Sequence, residues 1–107
     1  MTTVQIRRNE NGIFGIRVSG HSGYANSGSD IVCAAASVLI TTCANALETA
    51  AGLTPVLKIE KRSAVIDVSL PENLSSAQMH DGQIVFQTIL QGFADIAAEY
   101  PRYLQIV

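Results

Sequence analysis

Between Ile31 and Ala51 the chain carries one charged residue, Glu48. A segment this long and apolar either crosses a membrane or lies buried in a protein core. Ser37, Thr41, Thr42, Asn45, Glu48 and Thr49 interrupt it, and Asp30 stands immediately before it. The expectation is therefore a buried helix of a soluble domain, with no membrane contact. Ser29 or Asp30 can accept hydrogen bonds from the unpaired N–H groups of the first turn, and Gly52 can cap the other end. At about 100° per residue, the apolar centre of this helix holds Val32, Ala36, Leu39, Cys43, Ala46 and Ala50. Cys33 falls about 80° from Cys43, at the edge of a polar stripe of Ser37, Thr41 and Asn45.

The flanking segments supply strands to cover that helix. Val4 and Ile6 alternate with Gln5 and Arg7, and Phe14, Ile16 and Val18 alternate with Gly15 and Arg17. Asn11-Gly12 between them reads as a two-residue hairpin turn, since both residue types tolerate positive φ. Leu57 and Ile59, then Ala64, Ile66, Val68 and Leu70, form two more short strands about a turn at Lys61-Arg62-Ser63. A second helix starts near Ser75 or Ser76 and continues to Glu99. Phe86, Ile89, Leu90, Phe93, Ile96, Ala97 and Tyr100 line one side of it, and Gln83, Gln87, Gln91, Asp95 and Glu99 form an opposite stripe. Pro101 stops it, and Tyr103–Val107 is a last short strand. The order ββαββαβ predicts an α+β fold of two layers, with two helices on a mostly antiparallel sheet. A chain of 107 residues is expected to form a single domain, residues 1–107.

Composition narrows the partners. Charged residues are only 15% of the chain and hydrophobic ones 48%, too few charges to coat a monomer, which favours a homodimer. A net charge of −2 argues against direct nucleic-acid binding, which needs a basic face. Lys58, Lys61 and Arg62 cluster at one hairpin and read as a solvated tip. Met1–Arg8 alternates polar and apolar residues instead of opening an apolar leader, so the cytoplasm is the expected location.

The two cysteines are Cys33 and Cys43. Ten residues of helix separate them by roughly 15 Å, beyond disulfide reach, so both should be free thiols. With two distant histidines they make no zinc pattern, and neither metal nor cofactor is expected. Cys43 sits mid-core as a small hydrophobe. Cys33 sits in the first helical turn, where the positive end of the helix dipole favours thiolate. His21 ends the second strand. A loop carrying Ser22, Tyr24 and the glycines Gly23 and Gly28, entered through Gly20, lets the imidazole swing toward the sulfur.

A thiolate and an adjacent base are the minimum equipment of a cysteine hydrolase. His80, beside Asp81, is the competing base and reads as an exposed structural residue. Asp30 can cap the helix or orient His21 as a third catalytic member. Ser37, one turn after Cys33, can bond the sulfur or its own helix. Backbone N–H groups at the helix start, that of Cys33 included, are candidate oxyanion donors. The loop Ser22–Ser29, with Tyr24 its one aromatic residue, reads as a lid.

At Gly20-His21, Asp30-Ile31-Val32-Cys33-Ala34 and Ser37 the sequence resembles the ribosomal-processing cysteine protease (Prp) family of bacteria. The resemblance continues through Gln83-Ile84-Val85-Phe86-Gln87-Thr88-Ile89-Leu90 and spans the chain in element order. It implies a single cysteine protease domain that trims a short N-terminal extension from a large-subunit ribosomal protein. It also implies Cys33 as nucleophile, His21 as general acid/base, and a dimer whose loop moves when substrate binds. Two other readings stay open at this point. One is a non-enzymatic ribosome-associated assembly or binding module. The other is a thiol redox sensor, weakened because Cys43 lies too far away to resolve an oxidised Cys33.

Overall fold

The computed structural model describes residues 1–26 and 29–107; Gly28 lies outside the described residues. The elements are β1 (Thr2–Asn9), β2 (Gly12–Ser19), α1 (Ile31–Thr49), β3 (Val56–Glu60), β4 (Val65–Ser69), α2 (Ser76–Glu99) and β5 (Leu104–Ile106). This is the expected order. The strands form one sheet in the order β3-β4-β2-β1-β5. Only the pairing of β5 with β1 is parallel, and the other three are antiparallel. Ser75 caps α2 in a reciprocal capping box with Gln78, which satisfies two backbone donors at that end.

The first hairpin turns one residue earlier than the dipeptide Asn11-Gly12 suggests. Asn9 pairs with Gly12, leaving Glu10-Asn11 as the loop. The cause is on the second helix. Gln83 accepts from the Ile13 N–H at 2.7 Å and donates to the Ile13 carbonyl at 2.6 Å. Its amide lies so close to Gly12 (φ +117°) that a Cβ there would come within 2.4 Å of Oε1. Gln83 is thus half-buried and does not belong to the solvent stripe on which Gln87, Gln91, Asp95 and Glu99 stand exposed.

Both helices cover one face of the sheet, α1 over β2 and β4 and α2 over β2 and β5. They meet where Leu39 crowds Gly92; a Cβ at Gly92 would lie 2.9 Å from the leucine. The buried line of α1 is Val32, Ala36, Ile40, Cys43 and Leu47, rotated by about 40° from the expected centre. Leu39 and Ala46 are half-buried and Ala50 is exposed. The helix is long and apolar enough to cross a membrane, yet those five side chains sit in the core with Ile16, Val68, Phe86 and Phe93. On the other face of the sheet Arg7 crosses over Gly15 to pair with Asp67, which is only 5% exposed. The sheet extends past α1 on one side, so every residue of β3 is exposed.

Candidate active site

Strand β2 delivers the histidine and helix α1 the thiol. At the end of β2, Gly20 (φ +81°) donates to the Ala64 carbonyl at 3.2 Å. A Cβ on Gly20 would stand 2.8 Å from the Met1 carbonyl oxygen, so a side chain is excluded by both conformation and space. The turn leaves His21 exposed at the rim of the sheet. Across the loop, Asp30 is the N-cap of α1, and its Oδ1 accepts from the N–H groups of Val32 at 3.0 Å and Cys33 at 2.9 Å. Cys33 is half-buried in the first turn.

Asp30 also holds the loop. Its Oδ2 accepts from Ser22 Oγ at 2.5 Å, from Tyr24 N–H at 3.1 Å and from Ala25 N–H at 3.4 Å. Burial alone would raise this carboxyl, but the hydrogen bonds from Ser22 and from the Cys33 and Ala25 N–H groups outweigh it. The net effect holds Asp30 well below the usual carboxylate range, because each donor favours the charged form. Ser22 in turn reaches the sulfur: its N–H donates to Cys33 Sγ at 3.2 Å, and the thiol lies 3.4 Å from Ser22 Oγ. Ser22, 2% exposed, therefore links the carboxylate to the thiol. Sequence reasoning treats it only as a loop residue, and no local pattern marks a contact made eleven residues away.

Several expectations change in consequence. The Cys33 N–H is taken up by Asp30 and is not an oxyanion donor in this state. The hydrogen bonds of Asp30 go to Ser22 and to backbone N–H groups, and among the described residues none joins it to His21. Likewise the sulfur's described partner is Ser22, with His21 beside it in the cleft and not bonded to it. Tyr24 packs edge-on against Tyr100 and Tyr103, with centroids 5.5 and 5.1 Å away, which ties the loop to the far end of α2. Ser37 is exposed one turn after Cys33. His80 stands exposed beside Asp81, at 3.4 Å.

His21, Cys33 and Ser37 line two openings. One is a cleft of about 480 Å³ that also takes in Gly23, Ala25 and Asp30. The other is a cavity of about 210 Å³ floored by Val18, Ala36, Ile40 and Ile66. A larger groove, about 1020 Å³, lies at the opposite end of β2 and β4, between the first hairpin and the start of α2, and no cysteine lines it. Cys43, by contrast, is fully buried, and desolvation pushes its thiol up to about 12.

A free first-turn thiol and a histidine facing one cleft suit a cysteine hydrolase, and comparison with known proteins decides the matter. The sequence profile of the family described as Cysteine protease Prp matches residues 1–105. The chain belongs to that family. The ribosomal processing cysteine protease Prp of Bacillus subtilis (strain 168) is 26% identical over 107 residues, covering 99% of this chain and 96% of its own. A crystal structure of S. aureus Prp, described as an essential ribosomal processing protease with a covalently linked product peptide, superposes with a TM-score of 0.83. It is 26% identical, covering 99% of this chain and 97% of its own. A Streptococcus mutans protein superposes with a TM-score of 0.84 at 26% identity, over 99% of this chain and 91% of its own. Prp proteins are cysteine proteases, so the non-enzymatic and redox-sensor readings give way to a hydrolase.

Proposed function

We propose that this protease removes a short N-terminal extension from a large-subunit ribosomal protein, with Cys33 as nucleophile and His21 as general acid/base. The observation that carries the reading is the shared cleft. Cys33 is a free thiol in the first turn of α1, and His21 opens onto the same two cavities. The substrate class is supported by the names of the B. subtilis and S. aureus relatives.

In the reaction the Cys33 thiolate attacks the scissile carbonyl, and the His21 imidazolium protonates the leaving amine as the C–N bond breaks. His21, now neutral, takes a proton from water as the water attacks the thioester, and the acid product leaves with the thiolate regenerated. Before this, His21 must displace Ser22 as the sulfur's neighbour, so the loop segment that carries Ser22 and Tyr24 acts as a lid that shifts with the substrate. Asp30 is a positioning residue that holds Ser22 and caps the helix. Ser37, at the mouth of both cavities, supports substrate placement. We place the activity in the cytoplasm, in one domain over residues 1–107. It works as a homodimer, which the low charge content and the exposed Val38 and Ile84 support.

Peptides copied from the N-terminus of the bacterial ribosomal protein, incubated with the protein, should be cut once, with mass spectrometry locating the bond. Cys33→Ala and His21→Ala should each abolish the cut while the fold, read by circular dichroism, persists. Cleavage by Cys33→Ala at the native rate would dismiss the assignment.

A further inference from the structure

We propose that the free edge of β3 is a substrate-docking strand: an extended peptide adds to Val56–Glu60 and is led along it to the catalytic cleft. The proposal rests on the peptidase reading above and deepens it. Strand β3 is outermost in the sheet, and among the described residues it pairs only with β4. In an antiparallel pair, alternate residues aim their N–H and C=O away from the partner, so one side of β3 presents unpaired backbone groups.

Proteins usually blunt such an edge with a bulge, a proline or charged side chains; β3 does carry Lys58 and Glu60, but they alternate with Leu57 and Ile59 and so stand on the opposite face of the strand. Here the register runs unbroken from Val56↔Ser69 to Glu60↔Val65. Three of its five residues are large and apolar, and they stay exposed: Val56 at 44%, Leu57 at 48% and Ile59 at 59%.

Position selects the occupant. Leu57 and Ile59 pair with Val68 and Ile66, which places them on the helix-bearing face, but α1 stops over β4 and leaves them uncovered. The far end of the strand opens into the active site. Ile59, Glu60 and Lys61 line the 210 Å³ cavity together with His21 and Cys33. The edge and the catalytic cleft are therefore one continuous surface. Five strand residues span about 17 Å, enough to hold a few residues on one side of the scissile bond. The opposite edge, β5, has only three residues, and its Leu104 is buried. The occupant that fits is an extended peptide with apolar side chains at alternate positions, set against Leu57 and Ile59. A second copy of the chain pairing β3 to β3 is the competing occupant.

Amide hydrogen exchange tests this, read residue by residue by NMR on the Cys33→Ala variant with a peptide that the wild-type protein cleaves. Saturating peptide should slow exchange at alternate β3 amides by about tenfold or more and leave Leu104–Ile106 unchanged. N-methylation of the peptide at alternate backbone positions should raise KM for the wild-type protein by about tenfold per lost hydrogen bond, with kcat nearly constant. Cleavage of the peptide without protection of β3 overturns the docking strand and leaves the peptidase reading intact. Protection of β3 in the free protein that grows with concentration assigns the edge to a second copy and also overturns it. If the wild-type protein cleaves no such peptide, the peptidase reading falls and the docking strand with it.

Discussion

The two thiols of α1 should differ in native reactivity by more than a thousandfold, and alkylation with iodoacetamide measures the difference. Cys43 is 0% exposed, and burial pushes its thiol up to about 12. The thiolate is the nucleophile, so at about pH 8 only about one Cys43 in ten thousand is competent to react. An ordinary thiol with a pKa near 8.5 is roughly one-quarter ionised at that pH. Ionisation alone therefore slows Cys43 by a factor of about 2,000. Reagent must also reach a sulfur enclosed by the core, which requires local opening of the helix. Cys33 is half-buried at the wall of an open cleft, where reagent reaches it without any opening of the helix. Timed alkylation followed by intact-mass measurement and peptide mapping should give one adduct on Cys33, with a second appearing only in denaturant. Loss of peptidase activity should track the first adduct. Modification of Cys43 first, or at a similar rate, would show that the helical phase assigned to these two residues is wrong.

Cys43→Ala should keep native kcat and lower stability by about 1–2 kcal/mol in urea titrations near neutral pH. The raised Cys43 pKa stabilises the fold below the ordinary thiol range and loses that contribution as pH climbs from that range toward about 12; in that window the gap between wild type and variant should narrow. Asp30, held below the usual carboxylate range, stabilises the fold above about 4 and loses that contribution as pH falls further. Asp30→Asn should flatten the acid limb of the stability curve and reduce kcat, and an unchanged acid limb counts against the loop clasp. Gly23 has φ +75° with open space around its Cα, so Gly23→Ala should cost about 1 kcal/mol of stability and a proportionately larger share of kcat. Equal proportional losses in thermal melts and turnover would remove the lid from the mechanism.

Element order, the N-caps of both helices and the positions of Cys33 in the first turn of α1 and of His21 just after β2 were all legible in the residues. Each depends on neighbours a few positions away. Alternation marks β1, β2 and β4, and Asp30 and Ser75 are side chains that bond the next turn. Cys43 could be placed in the core because helical periodicity carries from Val32 and Ala36 to it. Other features needed the folded chain. Gln83 reads as one more member of a polar stripe until α2 lies across the first hairpin, where its amide meets Ile13 and moves the turn by one residue. Ser22 becomes the sulfur's neighbour only because the loop folds back over Asp30. Leu57 and Ile59 have the alternation of a half-buried strand, yet α1 stops over β4 and leaves them in solvent. Arg7 and Asp67, sixty residues apart, meet through sheet register alone. Periodicity and capping are short-range and are written in consecutive residues. Long-range partners follow from how layers pack and where they end, which no stretch of sequence specifies by itself.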